Sequence, residues 1–194
     1  MTAAAAGIAP VRIGDAGVML RPFTEEEVSE EERRVYEATD DEAARFEYPM
    51  GRPPRTLFRE RLLDSGRFVN GRLDLVVEAD GKIVGAIQAR QPKECTPPGV
   101  YSLGIALRSE HRGHGLGREA VRLITRHLFT QENAHRVELS TDVENGPMRR
   151  VAERLGFVLE GVLRSFFLTE QGPCDYALYA MTKSDWERDR ATWI

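Results

Sequence analysis

The chain has 194 residues, 41% of them hydrophobic and 30% charged, with a formal net charge of −4. That is enough chain for one domain with a sizeable core, and the negative balance argues against the broad basic footprint that nucleic-acid binding needs. No apolar run reaches membrane-spanning length, and two cysteines, Cys95 and Cys174, stand without metal-ligand spacing. A disulfide framework, a metal site and a membrane partner are therefore not expected, and a reducing cytoplasm suits the chain.

Met1–Ala6 has neither the basic start nor the long apolar stretch of a signal peptide, so residues 1–12 read as a flexible tail and 13–194 as a single domain. Val18–Phe23 reads as a first strand. Thr24 then caps an acidic helix that opens on Glu25-Glu26-Glu27, carboxylates that suit a helix N-terminus. A second helix is predicted over Arg55–Leu63 after Pro53-Pro54. Leu73–Ala79 and Lys82–Gln88 flank Asp80-Gly81, a hairpin signal, because a two-residue turn needs positive φ. Pro92–Gly99 reads as a loop and Val100–Leu107 as a strand. Leu116, Ala120, Leu123, Ile124, Leu128 and Phe129 recur at helical spacing. A strand over 135–142, a turn, a short helix over Met148–Leu155 ended by Gly156, a last hairpin (157–168 and 176–181) and a short helix holding Trp186 complete the chain.

Between the strand at 100–107 and the helix that follows lies Arg112-Gly113-His114-Gly115-Leu116-Gly117, with Arg118 next. The first N–H groups of a helix have no partner within it, and the helix dipole favours negative charge there. Glycines at 113, 115 and 117 clear side chains from that backbone, and Arg112 and Arg118 add positive charge, so the stretch reads as a pyrophosphate site. It departs from the dinucleotide pattern Gly-x-Gly-x-x-Gly, and it lacks the Gly-Lys-Ser/Thr ending of a P-loop.

Arg-x-x-Gly-x-Gly between a strand and a helix resembles the acetyl-CoA pyrophosphate loop of the GNAT acyltransferases. The later order of Asn145, a short helix, Leu155-Gly156-Phe157, Glu160-Gly161-Val162-Leu163-Arg164 and Asp175-x-x-x-Tyr179 is similar to the RimJ/RimL-like, ribosomal-protein N-acetyltransferase branch, as is Leu20-Arg21-Pro22-Phe23. The resemblance covers roughly residues 18–187. It implies an α/β fold: a mostly antiparallel mixed sheet with a central, splayed pair of parallel strands and flanking helices. It also implies acetyl-CoA as co-substrate, without a metal. The pantetheine arm would lie along the backbone of Ile105, Ala106 and Leu107, the pyrophosphate on Arg112, Gly113, His114, Gly115, Leu116, Gly117 and Arg118. Asn145 would contact the pantetheine side and Arg149 the adenosine phosphate.

The activity so implied is direct acetyl transfer to a primary amine (a protein N-terminus, a lysine or a small molecule), without a covalent enzyme intermediate. A non-catalytic CoA-binding module, or a transferase using another acyl-CoA, are the alternatives. An alkyl ammonium with a pKa of about 10 must lose a proton before attack, the developing oxyanion needs a donor such as a backbone N–H near Leu107, and a thiol pKa of about 8.5 makes the leaving group undemanding. Many members of the branch carry serine three residues after the asparagine, and many other GNAT enzymes carry tyrosine four residues before the Gly-Phe; here Met148 and Ala152 stand there. Tyr101, Glu170 and Asp175 are the candidate replacements for proton transfer, and Asp142, at the strand end beside Asn145, is a candidate to orient the substrate or to cap the turn. An exposed sheet edge could pair two copies into a homodimer.

Overall fold

The structure, a computed structural model, describes residues 10–15, 17–37, 52–91, 97–169 and 172–189. Its elements are β1 (Ile13–Asp15), β2 (Val18–Arg21), α1 (Glu25–Glu37), α2 (Arg55–Leu63), β3 (Arg72–Ala79), β4 (Lys82–Arg90), β5 (Val100–Leu107), α3 (Leu116–Gln131), β6 (Arg136–Asp142), α4 (Gly146–Arg154), β7 (Val158–Thr169), β8 (Gly172–Thr182) and α5 (Lys183–Asp189). The strands form one sheet in the order β1-β2-β3-β4-β5-β6-β8-β7, in which β5 and β6 run parallel and every other neighbouring pair antiparallel. That is the expected α/β architecture. Among the described residues, no helix is long and apolar enough to cross a membrane.

The β3–β4 hairpin turns on Asp80 and Gly81, both at positive φ (50° and 71°), which matches the twist of the strands it joins. Two differences from the sequence reading lie at the N-terminus. Residues 1–9 of the expected tail lie outside the described residues; Val11, within the same stretch, donates to the Gly66 carbonyl at 2.7 Å and packs half-buried on the core. β1, only three residues long, then pairs with β2. The first strand also ends at Arg21 rather than Phe23, because Phe23 leaves the sheet to pack with Val28 under α1. It is the hydrophobic staple of that helix, with Thr24 as N-cap.

Period-two alternation sorts the sheet into two faces. One face carries Leu73, Leu75, Val77, Ile87, Leu103, Val137, Leu139 and Tyr179, and packs on Ala120, Val121, Leu123, Ile124 and Leu128 of α3 and Ala152 of α4. Each fully buried leucine there contributes about 1.5–3 kcal/mol by leaving water. On the other face α1 and α2 bury Phe23, Val28, Val35, Phe58 and Leu62 against Val76. Among the described residues this second core reaches β3 and β4, through Val76, Ile83 and Ala86, and no described helix packs on the same face of β5, β6 and β8.

Arg21 pins α1 to the sheet. Its guanidinium donates to both carboxylate oxygens of Glu27 (2.7 and 2.8 Å) and to Glu78 (2.7 Å), while Glu27 accepts from the Thr24 N–H at 2.8 Å. The hydrogen bonds from Arg21 hold the Glu27 carboxyl down at about 2, well below its ordinary value near 4.5. A depressed folded-state pKa adds stability that is present in full above the unfolded value and lost as pH falls from about 4.5 towards about 2. After allowance for solvent screening, Glu27→Gln should cost about 1–2 kcal/mol at pH 7. Thermal melts of the two proteins should converge on acidification to pH ~2.5. An undiminished gap at that pH would contradict the assignment.

Candidate active site

β5 and β6 stay together for four residue pairs, Val100↔Arg136 to Leu103↔Leu139. Beyond them β5 keeps its partner β4 as far as Leu107, and β6 keeps β8 as far as Asp142. Two hydrogen bonds draw the ends outward: Arg108 N–H donates to the Val84 carbonyl at 2.9 Å, and Val143 N–H to the Asp175 carbonyl at 3.0 Å. The parallel pair therefore splits at its C-terminal end. Antiparallel strands alternate which residues bond to a given neighbour. With Arg108 bonded to β4, Ala106 also turns its backbone to β4, and the groups presented to the split belong to Ile105 and Leu107. The Leu107 carbonyl accepts from Arg112 Nε at 2.9 Å, so part of the Arg112 guanidinium braces the loop.

Above the split, a 3₁₀ turn at Ser109–His111 leads to Gly113 and Gly115, at φ 84° and 81°, and Gly115 is the N-cap of α3. Among the described residues, the backbone N–H groups from Gly113 to Arg118 have no hydrogen-bond partner. An added Cβ at Gly113 or Gly115 would meet nothing within 4 Å. The backbone there is accessible, and the glycines are required by the left-handed conformation rather than by crowding. Gly117 differs: its Cβ would touch Leu107 Cδ1 at 3.4 Å. His114 and Arg118 are exposed beside the turn.

From this nest an apolar wall runs down between α3 and α4, made of half-buried Ile105, Leu107, Leu116, Val143, Met148 and Val151. Met148 thus supplies surface where a hydroxyl was expected from the family pattern, and Ala152 is fully buried. Asn145 is the N-cap of α4, its Oδ1 accepting from the Met148 N–H at 3.2 Å, which leaves its amide NH₂ to donate elsewhere. Arg149 donates to the Tyr179 hydroxyl (3.2 Å) and the Val143 carbonyl (3.0 Å), and Tyr179 donates to Glu153 (2.8 Å). That network ties α4 to β8 and turns the Arg149 side chain inward; Arg150 is the exposed arginine at this point of the helix.

The opposite face of the split opens into a cleft of about 580 Å³. Its floor is Arg90, Ser102, Glu138 and Ser140, and Leu163, Phe166, Phe167 and Leu168 of β7 rise over it. β7 bends because its register with β8 shifts between Leu163 and Phe167, where Ser165 takes φ 52°. The Asp175 carboxylate accepts from the Ser165 N–H at 2.7 Å and holds that bulge. Phe167 packs edge-on against Tyr176 at 4.6 Å.

The candidate proton-transfer and substrate-orienting residues separate on this map. The Tyr101 hydroxyl donates to the Glu132 carbonyl at 3.2 Å and its ring lies 5.7 Å from Phe68. It sits where β5 and β6 are still paired, against the C-terminal end of α3, a helix some 24 Å long whose other end carries the nest. Burial pushes its phenol pKa up. This geometry favours packing over chemistry for Tyr101. Asp175 serves the β7 bulge. Asp142 is buried at the end of β6 with Oδ1 accepting from the Glu144 N–H at 2.8 Å, closing the turn that leads to Asn145. Glu170 lies outside the described residues. The split therefore gathers Ile105, Leu107, the 112–118 loop, Asn145 and Asp142, and leaves Tyr101 apart.

The cleft residues Arg90, Ser102, Glu138, Ser140, Phe166 and Phe167 are absent from the sequence reading, although a signal for several of them exists. Strands covered by helices on both faces are apolar on both. β5 and β6 instead alternate, with Ser102, Gly104, Glu138 and Ser140 between apolar neighbours.

The acetyltransferase (GNAT) domain family matches residues 18–158 of the chain. Over 158 residues the chain is 26% identical to the SPbeta prophage-derived uncharacterized N-acetyltransferase YokL of Bacillus subtilis (strain 168), covering 79% of this chain and 85% of that protein. Over 156 residues it is 26% identical to the spermidine N(1)-acetyltransferase of Escherichia coli (strain K12), covering 79% and 80%. The solved structure of Mycobacterium smegmatis RimJ in complex with CoA-disulfide superposes with a TM-score of 0.76 at 23% identity, over 94% of this chain and 95% of that one, a likeness of fold. The family match spans most of the chain and agrees with the strand order and the split: the chain belongs to the GNAT acetyltransferases, N-acetyltransferases that move an acetyl group to an amine.

Proposed function

We propose that the two faces of the split divide the reaction, with acetyl-CoA on the α3–α4 side and the acceptor amine in the cleft on the other. The observation that carries this is the run of unpartnered N–H groups from Gly113 to Arg118, set at the mouth of a strand pair that has come apart. Those donors suit a pyrophosphate, with His114 and Arg118 beside them. The backbone of Ile105 and Leu107 suits an extended, amide-bearing arm, and the apolar wall ending at Met148 and Val151 suits its methylenes. The NH₂ group of Asn145 is the remaining polar contact on that side.

Acetyl-CoA supplies an activated thioester carbonyl. The protein's part is to bring a neutral amine to it and to place a backbone N–H, from Ile105 or Leu107, where oxygen charge develops. The acceptor's surplus proton leaves on the cleft side, where Glu138 and Asp142 are the carboxylates of β6. Met148 and Ala152 offer no proton to the departing thiolate, and a thiol pKa of about 8.5 lets solvent serve. The acceptor class includes protein N-termini, lysines and small amines.

Thiol release from acetyl-CoA, measured against a mixed panel of peptides and small amines, tests the proposal. Amine-dependent release with a matching acetylated product is expected. Saturable acetyl-CoA binding with no release for any amine would contradict it.

A further inference from the structure

We infer that the acceptor of this chain carries a carboxylate as well as its amine, and that Arg90 reads the carboxylate while Gln88 receives an N–H from the acceptor. The inference rests on the reading that the acceptor enters the cleft.

Arg90 ends β4 and lies on the cleft face, opposite Arg72 on one side and Ser102 on the other. Its Nε is buried without a partner, and among the described residues the side chain makes no hydrogen bond or ion pair. Among the described residues the carboxylate that acts on it, Asp74, is already committed. Arg72 donates to both Asp74 oxygens at 2.6 and 2.9 Å, and Arg61 Nε lies 3.6 Å from one of them. One carboxylate thus answers three guanidiniums in a protein whose net charge is −4. Glu138, across the cleft floor, is held by Arg136 at 3.0 Å, and Arg136 also holds Glu160 at 2.6 Å. Burial pulls the Arg90 guanidinium pKa down, as expected for a cation stripped of water without a matched anion.

Two residues back on the same strand and face, Gln88 lies over Gly104, with Nε2 only 2.5 Å from where a Gly104 Cβ would stand. Its Oε1 is buried and unpartnered as well. An acceptor atom and a donor group without partners therefore sit roughly 7 Å apart along β4. The Gln88–Gly104 level is just where β5 and β6 part; the Arg90–Ser102–Glu138 level is one step deeper. An amine reaching the split would have Gln88 beside it and its far end at Arg90, with the apolar side chains of Leu163, Phe166 and Phe167 over the carbons between. A medium-length ω-amino acid or a lysine fits that pattern. A polycation places a second ammonium at Arg90 and does not.

The experiment compares steady-state acetylation of 6-aminohexanoate, its carboxamide and spermidine by the wild-type protein, Arg90→Gln, Arg90→Lys and Ser102→Trp, with a circular-dichroism melt for each. The acid and its amide have amines of nearly equal basicity, so their ratio reports the carboxylate contact. Wild type should favour the acid over the amide by about tenfold or more in kcat/KM, the range set by a hydrogen-bonded charge pair. The ratio should approach one in Arg90→Gln and remain above it in Arg90→Lys. A ratio near one in wild type, an unchanged ratio in Arg90→Gln, acetylation of spermidine alone, or no acetylation of any of the three would overturn the inference. An acid preference that survives Ser102→Trp at full rate would instead remove the cleft reading beneath it.

Discussion

Gly115→Asp should lower acetyl-CoA affinity at least about 100-fold while the chain stays folded. Gly115 holds φ 81° as the N-cap of α3, in a turn whose neighbouring N–H groups have no partner. Aspartate is among the residues that tolerate the left-handed region, so the backbone cost is only about 1 kcal/mol. Nothing lies within 4 Å of the added Cβ, so the core does not notice it. What changes is the ligand's side of the turn: a carboxylate now occupies the place where the diphosphate would approach, and it accepts the N–H groups itself. Calorimetry with acetyl-CoA reads the affinity, and a thermal melt reads the fold. Gly115→Asn, which adds bulk without charge, should fall between the two. Wild-type affinity in Gly115→Asp would remove the loop from the cofactor site.

Ser102→Trp should do the reverse. Ser102 is half-buried on the cleft floor, on the face of β5 away from Ile105 and Leu107. Tryptophan suits a strand, and its indole would stand on the floor of a cleft of about 580 Å³, in the path of an entering acceptor. The expected result is a fall of about 100-fold in kcat/KM for the acceptor with acetyl-CoA affinity within about twofold of wild type. Equal loss on both measures would mean that the two faces of the split are not separate sites, and unchanged turnover would place the acceptor elsewhere.

Much of this layout is written locally in the chain. Asp80-Gly81 between two apolar runs can hardly be anything but a tight hairpin, and the stripe from Leu116 to Phe129 fixes which side of α3 meets the sheet. The glycines at 113 and 115 announce a turn that needs positive φ. β1 was not legible, because three residues show no period and gain strand character only from β2 beside them. Tyr101 marks a different limit. Alternation correctly puts it on the face of Leu103 and Ile105, yet alternation says nothing of height along the strand, and its hydroxyl is anchored at the far end of α3. For Asp175 the obstacle is the β7 bulge, which breaks the phase that any strand reading relies on. Arg149, read from the family resemblance as a contact to the adenosine phosphate, takes its partner from Tyr179, thirty residues on, which no local pattern announces. The cleft was half legible: the polar positions of β5 and β6 alternate openly, but which segment would arch over them depends on the bend at Ser165.

Amide-resolved NMR of the protein, titrated with CoA, asks whether acetyl-CoA lies along the inner edge of β5 with its diphosphate on the turn before α3. The largest shifts are expected at the N–H groups of Ile105, Leu107 and Gly113 to Gly117, with Ala106 moving less because its N–H is spent on β4. Saturable CoA binding that leaves those amides unmoved, with shifts gathered elsewhere on the sheet, would contradict that placement.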